Sequence, residues 1–249
     1  MVTRRGILSG TAGLAAAAAL SELALGSDAW AEAPDRDLLS LTTELSRISR
    51  CLVIDNFTPV EWHNQLDSTL AKSFDHSTLQ QLIRTVDIDQ VTDGFDFGEK
   101  GRSSRDVDIG MSWERAGKTI KTKLVGIDAG HGIPPHVHEN MATATIVLSG
   151  QVRLRQFDRL GRYDSSILVR PSVDQVQTAG QWSSISRDRG NLHWFTADDG
   201  PVFLLNINIE NLGGEAVPGI RVAVEDTPLR SDVHVARFIS SDEAEARFG

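Results

Sequence analysis

Two short stretches that contain histidine decide the fold and the chemistry that this sequence predicts. Residues 130–138 read Gly-His-Gly-Ile-Pro-Pro-His-Val-His, and residues 190–195 read Gly-Asn-Leu-His-Trp-Phe. Successive strand residues point to opposite faces, so His136 and His138 are expected to project from one face, about 7 Å apart at their backbones. Closure of a barrel could bring His193, on a late strand, opposite this pair. Three neutral imidazoles suit Fe, Zn, Cu or Ni and leave coordination positions open.

The sequence around these stretches alternates with a period of two, which is typical of β-strands. From Lys118 onward, turn signals recur every eight to twelve residues, as expected for a small antiparallel sandwich or barrel. Ser149-Gly150 and Asp199-Gly200 have the composition of hairpin turns. Strands are predicted near 119–127, 136–148, 151–157, 165–170, 182–187, 191–196, 202–209 and 233–238, followed by a short helix that begins at the Ser240-Ser241-Asp242 cap.

The segment before these strands has helical spacing instead. Between Asp35 and about Leu82, apolar residues recur at intervals of three and four, which predicts two or three helices. Residues 56–59 interrupt the first helical run, and Asp75 has the right side chain for the N-cap of a later helix. Residues 94–106 contain three glycines and six charged residues, which predicts a loop.

Composition excludes several classes of function. The chain has 249 residues and is 40% hydrophobic, which is enough to fill a sizeable core. Its net charge of -9 argues against nucleic-acid binding and against docking on an anionic membrane. A single cysteine, Cys51, cannot form an internal disulfide, a thiolate zinc finger or an iron-sulfur cluster. Histidine is therefore the metal ligand of interest.

The N-terminus has the pattern of an export signal. Arg4 and Arg5 precede an apolar, alanine-rich run, and Ala29-Trp30-Ala31 is a small-x-small site that a signal peptidase accepts. This pattern resembles a twin-arginine signal, which implies the twin-arginine export machinery as a partner and cleavage near Ala31. The run contains Glu22 and is weakly hydrophobic, so no stable membrane anchor is expected. We expect the mature protein to be periplasmic or secreted from a bacterium.

The histidine stretches resemble the two sequence motifs of the cupin superfamily. Thr143 stands at the glutamate position of the first motif, and Gly190 and His193 match the core of the second. The resemblance covers about 95 residues, from roughly Lys118 to Asn211. It implies an all-β cupin barrel, a double-stranded β-helix or jelly roll, with an N-terminal helical segment. Four residues fall on the first motif at the family's spacing: Gly130, His136, His138 and Gly150.

The missing glutamate affects the chemistry that the site would support. Without a carboxylate ligand, a divalent metal keeps its full charge, which favours an anionic substrate such as a thiolate or enolate. Residues 135–141 and 190–197 are most similar to the cysteamine and plant-type cysteine oxidases, a branch of the thiol dioxygenases. The Gly-Pro-Pro-Tyr run of that branch is replaced by Ile-Asn-Ile-Glu at 207–210. A cysteine–tyrosine crosslink is not expected, because Cys51 lies outside the barrel and Tyr163 lies near a turn.

The resemblance implies an exported mononuclear non-haem Fe(II) dioxygenase. His136, His138 and His193 would bind the iron, and a small thiol and O2 would be the substrates. Two alternatives stay open: a cupin that binds a small ligand without turnover, and a cupin that uses Zn, Ni, Mn or Cu for isomerisation, lyase chemistry, or cleavage of rings or diketones. No further catalytic residue is predicted.

Four other residues are candidates for supporting roles, and three histidines are not. His131 is a candidate hydrogen-bond partner for a metal-bound imidazole. The remaining histidines have no partner at ligand spacing and are expected to be solvated: His63, His76 and His234. Three residues are predicted to line a substrate pocket, because each is expected to lie on the same strand as one of the three candidate histidine ligands or to point to the same face: Thr143, Phe195 and Asn206.

These predictions divide the chain into four segments. The resemblance also implies a homodimer formed through sheet edges, with the alternative that the extra helices cover such an edge. The segments are an export signal at 1–31, a helical segment and loop at 32–117, the cupin barrel at 118–212 and a C-terminal extension at 213–249.

Overall fold

The computed structural model describes residues 38–54, 56–88, 92–213 and 219–249, so the predicted export signal lies outside the described residues. Within these ranges the chain forms helices first, then antiparallel strands, and then one short helix. This order, together with closure of one sheet, confirms the predicted all-β barrel with an N-terminal helical segment. No helix in the described ranges is long and apolar enough to cross a membrane.

In the described residues the named helices are α1 (Leu38–Val53), α2 (Pro59–Ser73), α3 (His76–Thr85) and the C-terminal α4 (Ser241–Phe248). Helices α2, α3 and α4 begin at capping side chains that the sequence supplies. Thr58 and Glu61 form a capping box at α2, in which each side chain accepts a hydrogen bond from the other residue's backbone N–H. The Asp75 carboxylate accepts a hydrogen bond from the Thr78 N–H at 2.9 Å, as predicted for the α3 cap.

The strands form two sheets that face each other. Sheet A has the order β1-β3-β10-β5-β8, with β2 also paired to β3, and sheet B closes on itself in the order β11-β12-β7-β6-β9-β4. In the described residues the strands are β1 (Arg102–Asp106), β2 (Trp113–Arg115), β3 (Lys118–Ile127), β4 (His131–Val137), β5 (Ala142–Ser149), β6 (Gln151–Arg162), β7 (Ser166–Thr178), β8 (Trp182–Ile185), β9 (Leu192–Ala197), β10 (Val202–Glu210), β11 (Ile220–Val224) and β12 (His234–Phe238).

Apolar side chains fill three separate cores. The largest core lies between the helices and the outer face of sheet A and includes Trp62, Leu66 and Leu205. A second core contains residues of both sheets, among them Leu204 and Phe195. A third core lies on the other face of sheet B. On β9, for example, Leu192 belongs to this third core, whereas the next residue, His193, points to the opposite face.

The space between the sheets is apolar at one end and polar at the other. Residues that lie directly opposite one another on neighbouring strands form a row across the sheet, which we call a rung. One apolar rung from each sheet contributes to the second core: Val125, Leu204 and Val147 from sheet A, and Leu154 and Phe195 from sheet B. The next rung toward the other end is polar in both sheets: Lys123, Asn206 and Thr145 in sheet A, and Gln156, His193 and His136 in sheet B. The two polar rungs therefore face each other.

Several strand predictions were wrong because of how the two sheets connect. The single strand predicted at 136–148 is two strands, β4 and β5, which belong to different sheets. Ser149-Gly150 and Asp199-Gly200 are not hairpin turns, because each joins strands of different sheets. The predicted loop at 94–106 ends in strand β1, which pairs with β3.

Strand pairing also crosses the predicted segment boundaries at 117/118 and 212/213. Strands β1 and β2, from the segment at 32–117, extend sheet A through β3. Strands β11 and β12, from the segment at 213–249, close sheet B by pairing with β4 and β7. The C-terminal extension therefore forms part of the barrel instead of an appendage to it.

Candidate metal centre

Three histidines converge at the polar end of the space between the sheets. His136 on β4 lies directly opposite His193 on β9, because a register shift between Ile133 and His136 realigns the two strands. His138 follows the end of β4. One ring nitrogen from each of the three histidines lies within 4.8 Å of the others, and the ring centroids are 4.3 to 5.5 Å apart. This group could hold a metal ion.

Backbone carbonyls orient two of the three rings. His136 Nδ1 lies 2.9 Å from the Pro134 carbonyl oxygen, and His193 Nδ1 lies 3.1 Å from the Asn191 carbonyl oxygen. A carbonyl can only accept, so both Nδ1 atoms must carry the proton. Each Nε2 then keeps its lone pair free for a metal, which is the usual arrangement of a metal-binding histidine.

Burial keeps all three imidazoles neutral. His136 and His193 are only 8% and 5% exposed. Burial lowers the pKa of His193 to about 3 and that of His138 to about 4, and it holds the pKa of His136 well below its ordinary value. The partly buried cation of Arg221, which lies opposite His136 on β11, acts in the same direction on each pKa. Neutral imidazole is the form that binds a metal.

Asn191 connects the two segments that carry the histidines. Its side-chain amide is fully buried and donates hydrogen bonds to the carbonyl oxygens of His138, at 2.6 Å, and of Ser186, at 3.1 Å. Its own backbone carbonyl accepts the hydrogen bond from His193. One residue thus fixes the backbone at His138 and the ring of His193.

Strand β6 also contacts the two segments that carry the histidines, at Gly190 and at Glu139. Asp158 accepts a hydrogen bond from the Gly190 N–H at 2.8 Å, just before Asn191. Arg159 donates to both carboxylate oxygens of Glu139, at 3.0 and 3.1 Å, directly after His138. Both contacts come from Nη1 of Arg159, and both side chains are mostly buried, which makes this ion pair more rigid than a surface pair. The loops on both sides of the histidines are therefore anchored to one strand.

The structure distributes the predicted supporting residues over both sheets. Phe195 lies next to His193 on the same face of β9, with ring centroids 6.1 Å apart. Thr143 and Asn206 lie on sheet A, on the rungs opposite the histidines. His131 does not join the group: its Nδ1 contacts the Ala129 carbonyl oxygen at 3.0 Å, and it pairs with Ala197 at the far end of β4.

The prediction that His63 is solvated is wrong. The residue is fully buried in α2, and its two ring nitrogens lie 2.7 Å from Ser184 Oγ and 2.9 Å from Ser186 Oγ. Burial lowers its pKa to about 4. His76 is exposed as predicted, whereas His234 is half-buried and contacts the Glu225 carbonyl oxygen at 2.9 Å.

Sequence reasoning missed four polar residues around the histidines. Two of them, Asn191 and Gln156, could have been found from the sequence. Asn191 stands two residues before His193, as Pro134 stands two residues before His136, and in both cases the carbonyl contacts the histidine ring. Gln156 lies two residues after Leu154 on β6 and therefore points to the same inner face. The other two, Thr145 and Asn208, are separated from their partners by about sixty residues, and only the sheet pairing reveals them.

No protein-family model matches the sequence, and no curated protein is similar to it in sequence. Three solved structures that are similar to this chain are KdgF from Halomonas sp. (13% identity, 45% of this chain and 81% of that one, TM-score 0.33), an oxalate oxidase (17%, 48% and 56%, 0.33) and a cupin superfamily protein from Desulfitobacterium hafniense DCB-2 (12%, 47% and 84%, 0.32). The chain spans just over half the length of the oxalate oxidase. The structures similar to this chain thus include cupin proteins.

Proposed function

We propose that this protein is a mononuclear non-haem Fe(II) dioxygenase that oxidises a small thiol. The observation that carries the proposal is the convergence of three neutral imidazoles on one point, with ring nitrogens within 4.8 Å of one another. Metal–nitrogen bonds are about 2.1 Å long, so nitrogens that bind one ion in tetrahedral geometry lie about 3.4 Å apart. A closing movement of the rings would bring them to that distance.

The donor set fits a divalent metal that must keep open positions. Within the described residues the group contains His136, His138 and His193 and no carboxylate. A bound metal would therefore keep its full positive charge, which favours an anionic thiolate. Bound iron would supply the electron transfer that O2 needs and would lower the pKa of the thiol.

The residues of this chain would bind and orient the substrate. Phe195 closes the space between the sheets on the apolar side, because it belongs to the core that fills that end. Thr143 and Asn206 face the histidines from sheet A. In the proposed reaction R–SH and O2 give R–SO2H: both oxygen atoms form bonds to sulfur, the O–O bond breaks, sulfur is oxidised by four electrons, and the proton stays with the sulfinic acid.

Oxygen uptake by the iron-loaded protein tests this function. With cysteamine, cysteine or 3-mercaptopropionate we expect thiol-dependent uptake and a product that carries two atoms from labelled O2. His193→Ala should abolish both, because it removes one of three ligands. Oxygen uptake with diketones or aromatic diols, but not with thiols, would identify those compounds as the substrates and reject the thiol. Ligand binding without any uptake would favour a non-catalytic cupin or one that uses Zn, Ni, Mn or Cu.

We also propose that the protein is exported in its folded state. The support is the sequence pattern of Arg4 and Arg5 before an apolar run through Leu25, followed by the small-x-small site Ala29-Trp30-Ala31. Replacement of both arginines by lysine should leave the protein in the cytoplasm with residues 1–31 still attached. Equal export of the wild type and this variant would contradict the proposal.

A further inference from the structure

Sheet A presents two polar rungs to the three histidines. The first consists of Lys123, Asn206 and Thr145, and the second of Lys121, Asn208 and Thr143. Their position follows from the apolar core between the sheets, which fixes the rungs that face each other. We call these six residues the donor wall.

The threonines of the donor wall orient its two amides. Thr145 Oγ donates to Asn206 Oδ1 at 2.9 Å, and Thr143 Oγ donates to Asn208 Oδ1 at 3.0 Å. With each Oδ1 engaged in this way, each amide presents its N–H2 group, which can only donate, to a neighbouring molecule. Asn208 is only 7% exposed, so an acceptor that reaches it must come from the space between the sheets.

The two charged side chains of the donor wall are both lysines. Lys121 is paired with Glu210 at 3.2 Å. Lys123 is about one-third exposed, and its carboxylate partner, Asp106, lies at 3.8 Å and is itself mostly exposed. An ion pair of this kind contributes little, so the positive charge of Lys123 remains effective at the edge of the wall.

We infer that the donor wall binds a carboxylate of the substrate while the thiol binds at the histidines. This inference rests on the proposed function and narrows the substrate class to small thiols that carry a carboxylate. Two amide donors and one nearby cation suit an acceptor-only group. They suit the ammonium group of an aminothiol less well, because that group has only donors and the carboxylate of Glu210 is already paired with Lys121.

The test measures equilibrium binding to the cobalt-loaded protein in the absence of O2, by the visible spectrum of the metal. The two ligands are 3-mercaptopropionate and cysteamine, which share the thiol and differ in carboxylate against ammonium. We expect the wild type to bind 3-mercaptopropionate at least tenfold more tightly than cysteamine. Asn206→Asp and Asn208→Asp should each reduce this ratio by tenfold or more, because a carboxylate replaces a donor.

A matched control makes the same charge change outside the wall. Asn211 follows β10, and its side chain donates to the Gly117 carbonyl oxygen at 2.9 Å. Asn211→Asp should leave the binding ratio within about twofold of the wild type. A wild type that prefers cysteamine, or a control that shifts the ratio as much as Asn206→Asp does, would overturn the inference.

A second measurement separates the donor wall from the proposed function. In metal-free wild-type protein labelled with nitrogen-15, 3-mercaptopropionate should shift the side-chain amide resonances of Asn206 and Asn208. Unshifted resonances at saturating ligand would overturn the inference even if the variants do not fold. Shifted resonances together with absent oxygen uptake would retain the donor wall and reject the dioxygenase.

Discussion

The burial of His63 should make the stability of the protein depend on pH below neutrality. Its pKa is lowered to about 4 in the folded protein, first by burial and then by the nearby cation of Arg189, whereas an unfolded chain has the ordinary value of 6.5. As the pH falls below 6.5, the unfolded chain takes up a proton more readily than the folded protein does. The stabilisation from neutral His63 is therefore complete above pH 6.5 and is lost between pH 6.5 and about 4.

The magnitude follows from the difference between the two pKa values. At about 1.4 kcal/mol per pH unit, the full difference corresponds to about 3 kcal/mol, of which about 2 kcal/mol is lost between pH 7 and pH 4.5. His63→Gln removes this titration. The gap in unfolding free energy between the wild type and His63→Gln should therefore shrink by about 2 kcal/mol over this pH range.

Urea unfolding of the metal-free proteins at several pH values measures this gap. The subtraction of the variant cancels the contributions of all other titrating groups, including the three clustered histidines. His76→Gln removes an exposed histidine and serves as the control. A gap that stays constant with pH for His63→Gln, or one that shrinks equally for His76→Gln, would refute the reasoning.

Two further predictions concern the candidate metal centre and the turn at Gly150. Asn191→Asp replaces the donor to the His138 carbonyl and should weaken zinc or cobalt binding about 10- to 100-fold in a chelator competition. The control Gln177→Glu changes another buried amide that donates to a carbonyl, at 2.9 Å, and an equal loss in both variants would mean that Asn191 has no special role. Gly150→Ala should destabilise the protein by at least about 1 kcal/mol in urea unfolding, because Gly150 has a φ of 81° and its added Cβ would lie 2.4 Å from the Pro201 carbonyl oxygen. Unchanged stability would show that this turn relaxes freely.

The features that the sequence predicted correctly depend on neighbouring residues. The helix cap at Asp75 needs only the backbone N–H of Thr78, three residues further along the chain. The shared face of His136 and His138 follows from the two-residue period of a strand. Both are local properties, so they can be deduced without knowledge of the sheet order.

The features that the sequence could not predict depend on distant contacts. His63 looks like a surface helix residue, but its serine partners lie 121 and 123 residues further along the chain. Ser149-Gly150 has the composition of a hairpin turn, yet it lies where the chain passes from β5 in sheet A to β6 in sheet B. The alignment of His136 with His193 depends on a register shift that no spacing rule indicates.

The C-terminal extension illustrates the same limit. Its strand β11 is short, and the periodicity of five residues is too weak to predict a strand. The strand nevertheless closes sheet B and places Arg221 beside His136. Its conformation is stabilised by pairing with β4 and β12, which lie on either side of it only in the folded barrel.

Metal content is the most direct test of the central claim, that three histidines form a metal centre. The wild type and His193→Ala should be purified without chelator and analysed for iron, zinc, nickel, manganese and copper. We expect about one iron per chain in the wild type and little metal in the variant, since loss of one of three ligands removes most of the affinity. A wild type without metal, or a variant that retains as much metal as the wild type, would contradict the account.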